Sequence, residues 1–110
     1  MNPTPTVYLL NAPVLTAFGD WRFQGLLDLA QARALLAGGF TSAIGHDGTA
    51  QFLTSLLGLD VPVNRVAVTM QPGDQALVLR LQTHLPEGAV LSDEQLATLP
   101  YQLGLLTRLT

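Results

Sequence analysis

Cysteine is missing from the whole 110-residue chain. That excludes a disulfide framework, a thiolate metal site and a thiol nucleophile. Lysine is missing too: the positive charge consists of five arginines, Arg22, Arg33, Arg65, Arg80 and Arg108, and the net charge is −3. An acidic chain without lysine is poorly equipped to grip long nucleic acid by neutralising phosphates. A few arginines together with a helix N-terminus still suit a small anion. Charged residues make up only 12% of the sequence and hydrophobic ones 48%, which leaves little room for a disordered tail and predicts that some apolar surface is covered by another subunit. No basic region precedes the short apolar run of "MNPTPTVYLL", so no signal peptide is expected there. The longest charge-free apolar stretch, 34–45, is shorter than the roughly 20 residues a membrane span needs and is rich in glycine. The expectation is a soluble, cytoplasmic protein with no membrane partner. Residues 1–110 are read as a single domain, large enough to bury roughly two thirds of its unfolded surface.

Patterning predicts an α/β fold. "TVYLLNA" (6–12), apolar and bounded by Pro5 and Pro13, reads as a buried strand, and "WRFQGL" (21–26) as a short exposed one. "LDLAQARALLAGG" places Leu29, Ala32 and Leu36 on one face and ends in Gly-Gly, the signature of a surface helix. "FTSAI" (40–44) is a second buried strand. "DGTAQFLTSLLG" then aligns Phe52, Leu53, Leu56 and Leu57, with Asp47 or Thr49 as the expected N-cap. "RVAVTM" and "QALVLRLQ" alternate on either side of Gln71-Pro72-Gly73-Asp74, where Pro-Gly fits a type II turn, so a β-hairpin is predicted. "LSDEQLATL", with Ser92 and Gln95 in capping-box spacing, predicts a short helix, and "YQLGLLTRL" a final strand. The sum is one mixed sheet of about five strands with flanking helices.

Two segments carry chemistry. In Gly45-His46-Asp47-Gly48-Thr49 one of only two histidines stands where a strand becomes a helix. Such turns at the carboxyl ends of strands are where open α/β sheets take ligands. The amides of the first helical turn face an anion there, and Gly45 and Gly48 let backbone approach a phosphate. His46 is placed to protonate a leaving oxygen; the alternative is a capping or packing histidine. The second segment is "RLQTHLPEG" (80–88), with Arg80, His84 and Glu87 just beyond a strand. Cations there would stabilise charge on a reacting phosphate, and a carboxylate would orient a histidine; the alternative is a solvated loop. Metal binding is not expected. His46 with Asp47, or His84 with Glu87, offers two ligands at undiagnostic spacing, and H-E-x-x-H is absent. Ser42, Ser55 and Ser92 lack a nucleophile-elbow context.

Taken together, "VYLLNA", "AIGHDGTAQFL", "NRVAV" and "LPEGAVLSDE" resemble, in order and spacing, the small viral and plasmid family that includes the type III anti-CRISPR ring nucleases. The similarity runs from about Val7 to Leu106, and I-G-H-D-x-T and N-R-V are its most specific parts. The resemblance implies a homodimer that encloses cyclic tetra-adenylate, the second messenger of type III CRISPR systems. It also implies metal-independent cleavage of the ring, without cofactor, to linear di-adenylate ending in a 2′,3′-cyclic phosphate. Members act in viruses as immune suppressors and in cells as off-switches. By the same resemblance His46 is the catalytic histidine and Glu87 the active-site glutamate, while Asn11, Thr49 and Arg65 contact ligand. Gly45, Asp47, Gly48 and Arg80 complete the candidate ligand site. The family pattern has arginine at the position of His84 and glutamine at that of Arg80. Either the positive charge has moved to Arg80, or His84 titrates in its place as a third catalytic group.

Two functional classes follow. One is an enzyme using His46. The other is a non-catalytic binder or dimeric interaction module of the same fold. The presence of both His46 and Glu87 favours the enzyme.

Overall fold

A computed structural model describes residues 6–81 and 100–110. The chain order is β1 (Val7–Leu10), β2 (Trp21–Gly25), α1 (Leu29–Leu36), β3 (Thr41–Ser42), α2 (Asp47–Leu57), β4 (Gln75–Leu81) and β5 (Tyr101–Arg108). The strands form one mixed five-stranded sheet in the order β2-β5-β4-β1-β3. β1 runs parallel to both β3 and β4, and β5 runs antiparallel to both β4 and β2. The carboxyl ends of β1, β2, β3 and β4 therefore share one edge.

Period-two alternation builds two cores. Leu9, Leu77, Leu79 and Leu103 point to the face covered by α1 and α2, where they meet Ala32, Leu36, Phe52, Leu53 and Leu57. Their sequence neighbours Leu10, Ala76 and Val78, together with Leu106, point to the other face, around Met70. The central strand β4 is thus buried on both sides, and its run Ala76–Leu79 has no exposed surface, which is why this strand reads as a continuous apolar run. Edge strand β2 has four exposed residues of five. The ring of Phe52 meets that of Tyr101 edge-on at 5.6 Å, joining α2 to β5.

Both expected helices among the described residues form. Asp28 caps α1 in a complete capping box: its carboxylate accepts from Gln31 N at 2.8 Å, and the Gln31 side chain accepts from Asp28 N at 3.0 Å. The far end of α2 stops at Gly58, whose φ of 68° is the left-handed conformation glycine adopts without strain. There Arg33 reaches over from α1, its Nε donating to Leu57 O and its Nη2 to Leu56 O.

The expected β-hairpin about residues 71–74 does not form. The turn itself is present: Asp74 N donates to Gln71 O at 2.9 Å and Gly73 has φ 94°. Residues 65–70, however, are not a strand. The reason is that both edges of β4 are occupied, by β1 and β5, leaving no position beside it. The segment instead crosses the face of the sheet, with Met70 fully buried and Val68 packed against the same cluster. Its alternation thus faces the sheet from above rather than lying within it. The expected helix at "LSDEQLATL" falls outside the described residues, as do Ser92 and Gln95. No helix of the described residues is long and apolar enough to cross a membrane.

Candidate functional site

The site is built at the carboxyl ends of β1 and β3, the two parallel neighbours, where β3 turns through Gly45 into α2. Register pairs Tyr8 with Thr41 and Leu9 with Ser42, so Asn11 follows β1 on the same edge from which Ala43, Ile44 and Gly45 lead to His46. Ala43 N extends the β1 pairing by donating to Leu9 O at 3.0 Å, while Ile44 is buried in the helix-side core.

His46 is the N-cap of the eleven-residue helix α2, with extended backbone at φ −127° and ψ 135°. The first helical bond runs from Ala50 N to His46 O at 3.0 Å. Neither Asp47 nor Thr49 is the cap, contrary to the sequence expectation: Asp47 is the first residue of the helix, and the register that buries Phe52, Leu53 and Leu57 moves the cap back to 46. The His46 side chain makes no capping hydrogen bond. A histidine at a position normally held by Ser, Thr, Asp or Asn leaves the first-turn amides of Asp47, Gly48 and Thr49 without that partner. His46 and Asp47 are exposed, whereas Gly48 and Thr49 are buried.

From the other side, the N-R-V segment closes on this turn. Arg65 Nε donates to Gly45 O at 2.8 Å, and a Cβ placed on Gly45 would lie 3.4 Å from Arg65 Cγ. Gly45 is therefore the point at which the arginine stem crosses the turn. Beside it, Leu10, Asn11, Val14, Ala43, Val66 and Val68 line an open groove along the ends of β1 and β3. Asn11 is the one residue with a polar side chain among those that line it.

The structure therefore brings Gly45, His46, Asp47, Gly48, Thr49 and Arg65 into one turn, with Asn11 on the adjacent strand end. Arg80 is not part of this group. It extends from β4 on the face opposite α2, as its two-residue spacing from Val78 requires, and its Nη1 donates to Gln102 Oε1 of β5 at 3.4 Å. His84 and Glu87 lie outside the described residues. Among the described residues no three His, Asp or Glu side chains are grouped as metal ligands. Sequence reading missed Asn64, whose amide bonds to Ser42 O at 2.7 Å; it sits in the N-R-V motif, but nothing local in the sequence marks that contact.

Comparison with known proteins gives a consistent picture. The sequence profile of the STIV B116-like family matches residues 7–103. An uncharacterized protein 26 of Sulfolobus islandicus filamentous virus is 35% identical over 86 residues, covering 76% of this chain and 73% of its own. The uncharacterized protein YddF of Bacillus subtilis is 32% identical over 105 residues, covering 94% and 97%. Among solved structures, B116 of Sulfolobus turreted icosahedral virus superposes with a TM-score of 0.74 at 28% identity, over 94% of this chain and 99% of that one.

Proposed function

This chain belongs to the STIV B116-like family, and from that premise we propose that it is a metal-independent ring nuclease. Its substrate would be cyclic tetra-adenylate, and its role the suppression or switching-off of type III CRISPR signalling. The observation that carries this reading is the placement of His46: an exposed histidine at the N-cap of α2, on the carboxyl edge shared by parallel strands β1 and β3. The activity and substrate come from the sequence resemblance, and the geometry is compatible with both.

The chemistry required is modest. A ribose 2′-hydroxyl lies next to its own 3′-phosphate, so the protein need only align it with the departing 5′-oxygen and protonate that oxygen. The 2′-hydroxyl gives its proton to solvent, and its oxygen bonds to phosphorus as the phosphorus to 5′-oxygen bond breaks. His46 gives its proton to the leaving oxygen, and a 2′,3′-cyclic phosphate remains. Alignment and one general acid supply much of the acceleration. Amides of the first turn of α2 face the phosphate, and Arg65, crossing at Gly45, adds positive charge beside it. Glu87, and either His84 or Arg80, complete the set implied by the resemblance.

A two-fold ring suits a two-fold dimer, which places one copy of each group on either side. Exposed apolar side chains support a homodimer: Phe18 is fully exposed and Leu15 and Leu26 are largely so. The test is to incubate the protein with cyclic oligoadenylates of several ring sizes in EDTA and separate the products by chromatography. Conversion of the four-membered ring to di-adenylate with a cyclic phosphate end supports the reading. Tight binding with no product would make the protein a messenger-sequestering binder.

A further inference from the structure

We propose that the outer edge of β2 docks a second copy of this chain, the two strands pairing antiparallel about Phe23. The two ends of the sheet differ. β3 is only two residues long and is closed off by side chains: Ser42 Oγ donates to Pro62 O at 2.7 Å, and Asn64 Nδ2 donates to Ser42 O at 2.7 Å. β2 pairs with β5 through all five of its residues and has no strand on its outer side among the described residues. Its sequence, WRFQG, contains neither lysine nor proline, the usual protections of an open edge, and Arg22 is its only charge. Asp20 O accepts from Leu109 N at 2.8 Å, which fixes the alternation of the ladder. Residues 20, 22 and 24 turn their backbone groups to β5, while the N–H groups of Trp21, Phe23 and Gly25 and the carbonyls of Trp21 and Phe23 face outward.

This edge is complementary to itself. Two-fold pairing centred on Phe23 sets Phe23 against its own copy, Arg22 against Gln24, and Trp21 against Gly25. Each Phe23 N–H meets the other Phe23 carbonyl, and each Gly25 N–H meets a Trp21 carbonyl. The indole comes to lie beside a position with no side chain, as an aromatic does when it compensates an edge glycine. Centring the pair on Arg22 instead would set two guanidinium groups directly opposite, which is destabilising. Centring it on Gln24 would leave Trp21 beyond the paired strand. The exposed apolar surface follows the same symmetry. Phe18, fully exposed, and Leu15 belong to a loop fastened at the Trp21 end: Trp21 Nε1 donates to Ala17 O at 3.2 Å and Arg108 Nη2 to Phe18 O at 3.4 Å. Leu26, largely exposed, stands at the other end and lines a small groove with Phe23, Gly25 and Gly104. Antiparallel pairing carries the Phe18 end of each copy to the Leu26 end of the other. An aromatic side chain buries about 150–250 Å². Phe18, the exposed half of Phe23, the two leucines and the strand edge therefore offer roughly 600 Å² per copy, just above the ~1,000 Å² total of a specific interface. Such a contact is reversible rather than obligate. With a strand spacing of about 4.8 Å, two sheets joined at β2 hold their β3 strands roughly 40 Å apart. One small ligand cannot reach both His46 sites across that span, so this contact is additional to any dimer that encloses a ring.

Because the chain has no cysteine, single cysteines report the contact and its register. Opposed residues of a hydrogen-bonded antiparallel pair have Cα atoms about 5.5 Å apart, within the span of a disulfide. Under mild oxidation Phe23→Cys should form a covalent dimer, whereas Arg22→Cys, which faces Gln24, should form little. Sedimentation over the micromolar range gives the second measurement. Phe23→Lys should weaken the association at least about tenfold, and so should Phe18→Ser, which removes a side chain in full solvent and should leave the melting temperature unchanged. Phe23→Lys should also bind cyclic tetra-adenylate as the wild type does. Phe18→Ser keeps the test decisive if the lysine variant fails to fold. A wild type that shows no association at any concentration overturns the proposal. So does equal cross-linking through positions 22 and 23, or wild-type sedimentation of a folded Phe18→Ser. Loss of ring binding in a folded Phe23→Lys would overturn the separation of the two contacts. If the wild type binds no cyclic oligoadenylate, the ring-nuclease reading fails, and the cross-linking pattern still decides the β2 contact.

Discussion

Replacing Asp74 with alanine should be costly for this fold. Asp74 is 6% exposed and uses both carboxylate oxygens: Oδ1 accepts from Thr6 N at 2.9 Å and Oδ2 from Gln71 N at 2.8 Å. Its own carbonyl accepts from Arg108 N, and Gln75 N donates to Thr6 O beside it. The start of β1, the start of β4 and the end of β5 therefore meet at this residue. Alanine would keep the backbone bonds and leave two amide donors without their acceptor. A hydrogen bond to a charged group contributes about 1.5–3 kcal/mol. Both bonds here are only partly buried, so water replaces some of the loss, and the sum comes to about 2–4 kcal/mol. With a urea slope of about 1–2 kcal/mol/M for a domain of this size, the unfolding midpoint should fall by roughly 1–4 M. Asp74→Asn retains one acceptor and should fall between. The residue lies at the sheet edge opposite His46, so ligand affinity measured well below the melting temperature should not change. A loss below about 0.5 kcal/mol with an unchanged slope would refute the reasoning.

Gly104 faces a different constraint: an added Cβ would lie 2.7 Å from Phe23 Cε1 and 3.1 Å from the Gln24 carbonyl oxygen. The oxygen belongs to the backbone of the paired strand β2, so Gly104→Ala should cost about 1–3 kcal/mol, visible in calorimetry as a lower melting temperature; an unchanged one contradicts the packing. Asp47 is exposed in the first turn of α2, where its charge suits the helix but opposes an anionic ligand. Asp47→Asn should therefore tighten binding of a cyclic oligoadenylate by roughly threefold at low salt, an effect that fades as salt is added; weaker binding would mean that Asp47 contacts the ligand favourably. If His84 supplies positive charge to the phosphate, that charge is present below the ordinary histidine pKa of about 6.5 and lost above it. The single-turnover rate should then fall as pH rises through neutrality, and His84→Arg should flatten part of the fall. An unchanged profile would mean that His84 supplies no charge to the phosphate.

What the sequence disclosed follows the range of the forces involved. The apolar run of β4, the helical face of Phe52, Leu53 and Leu57 and the turn at Gly73 are local patterns, and each appears where it was expected. The capping box of Asp28 and Gln31 was equally local and could have been found in D-L-A-Q by its spacing. The hairpin was misread because Val66, Val68 and Met70 alternate identically whether a segment lies within a sheet or across its face. Only the pairing of β4 with β1 and β5 decides between the two, and that pairing is remote in sequence. The N-cap shifted to His46 for a similar reason: burial of the helix face sets the register, and an unusual cap is accepted. Arg80 could be placed on its strand, but the face it occupies depends on the register with β5. Asp74 and Asn64 act across 68 and 22 residues, respectively, so neither contact has a local signature.

The most direct measurement is a single-turnover incubation of cyclic tetra-adenylate with the wild-type protein and with His46→Ala, both in EDTA, followed by chromatography. The wild type should yield linear di-adenylate with a 2′,3′-cyclic phosphate. His46→Ala should bind the ring with similar affinity and cleave it roughly 10²–10⁴ times more slowly. Equal rates in the two proteins, or no cleavage by the wild type of a ring that it binds, would contradict the assignment of His46 as the general acid of a ring nuclease.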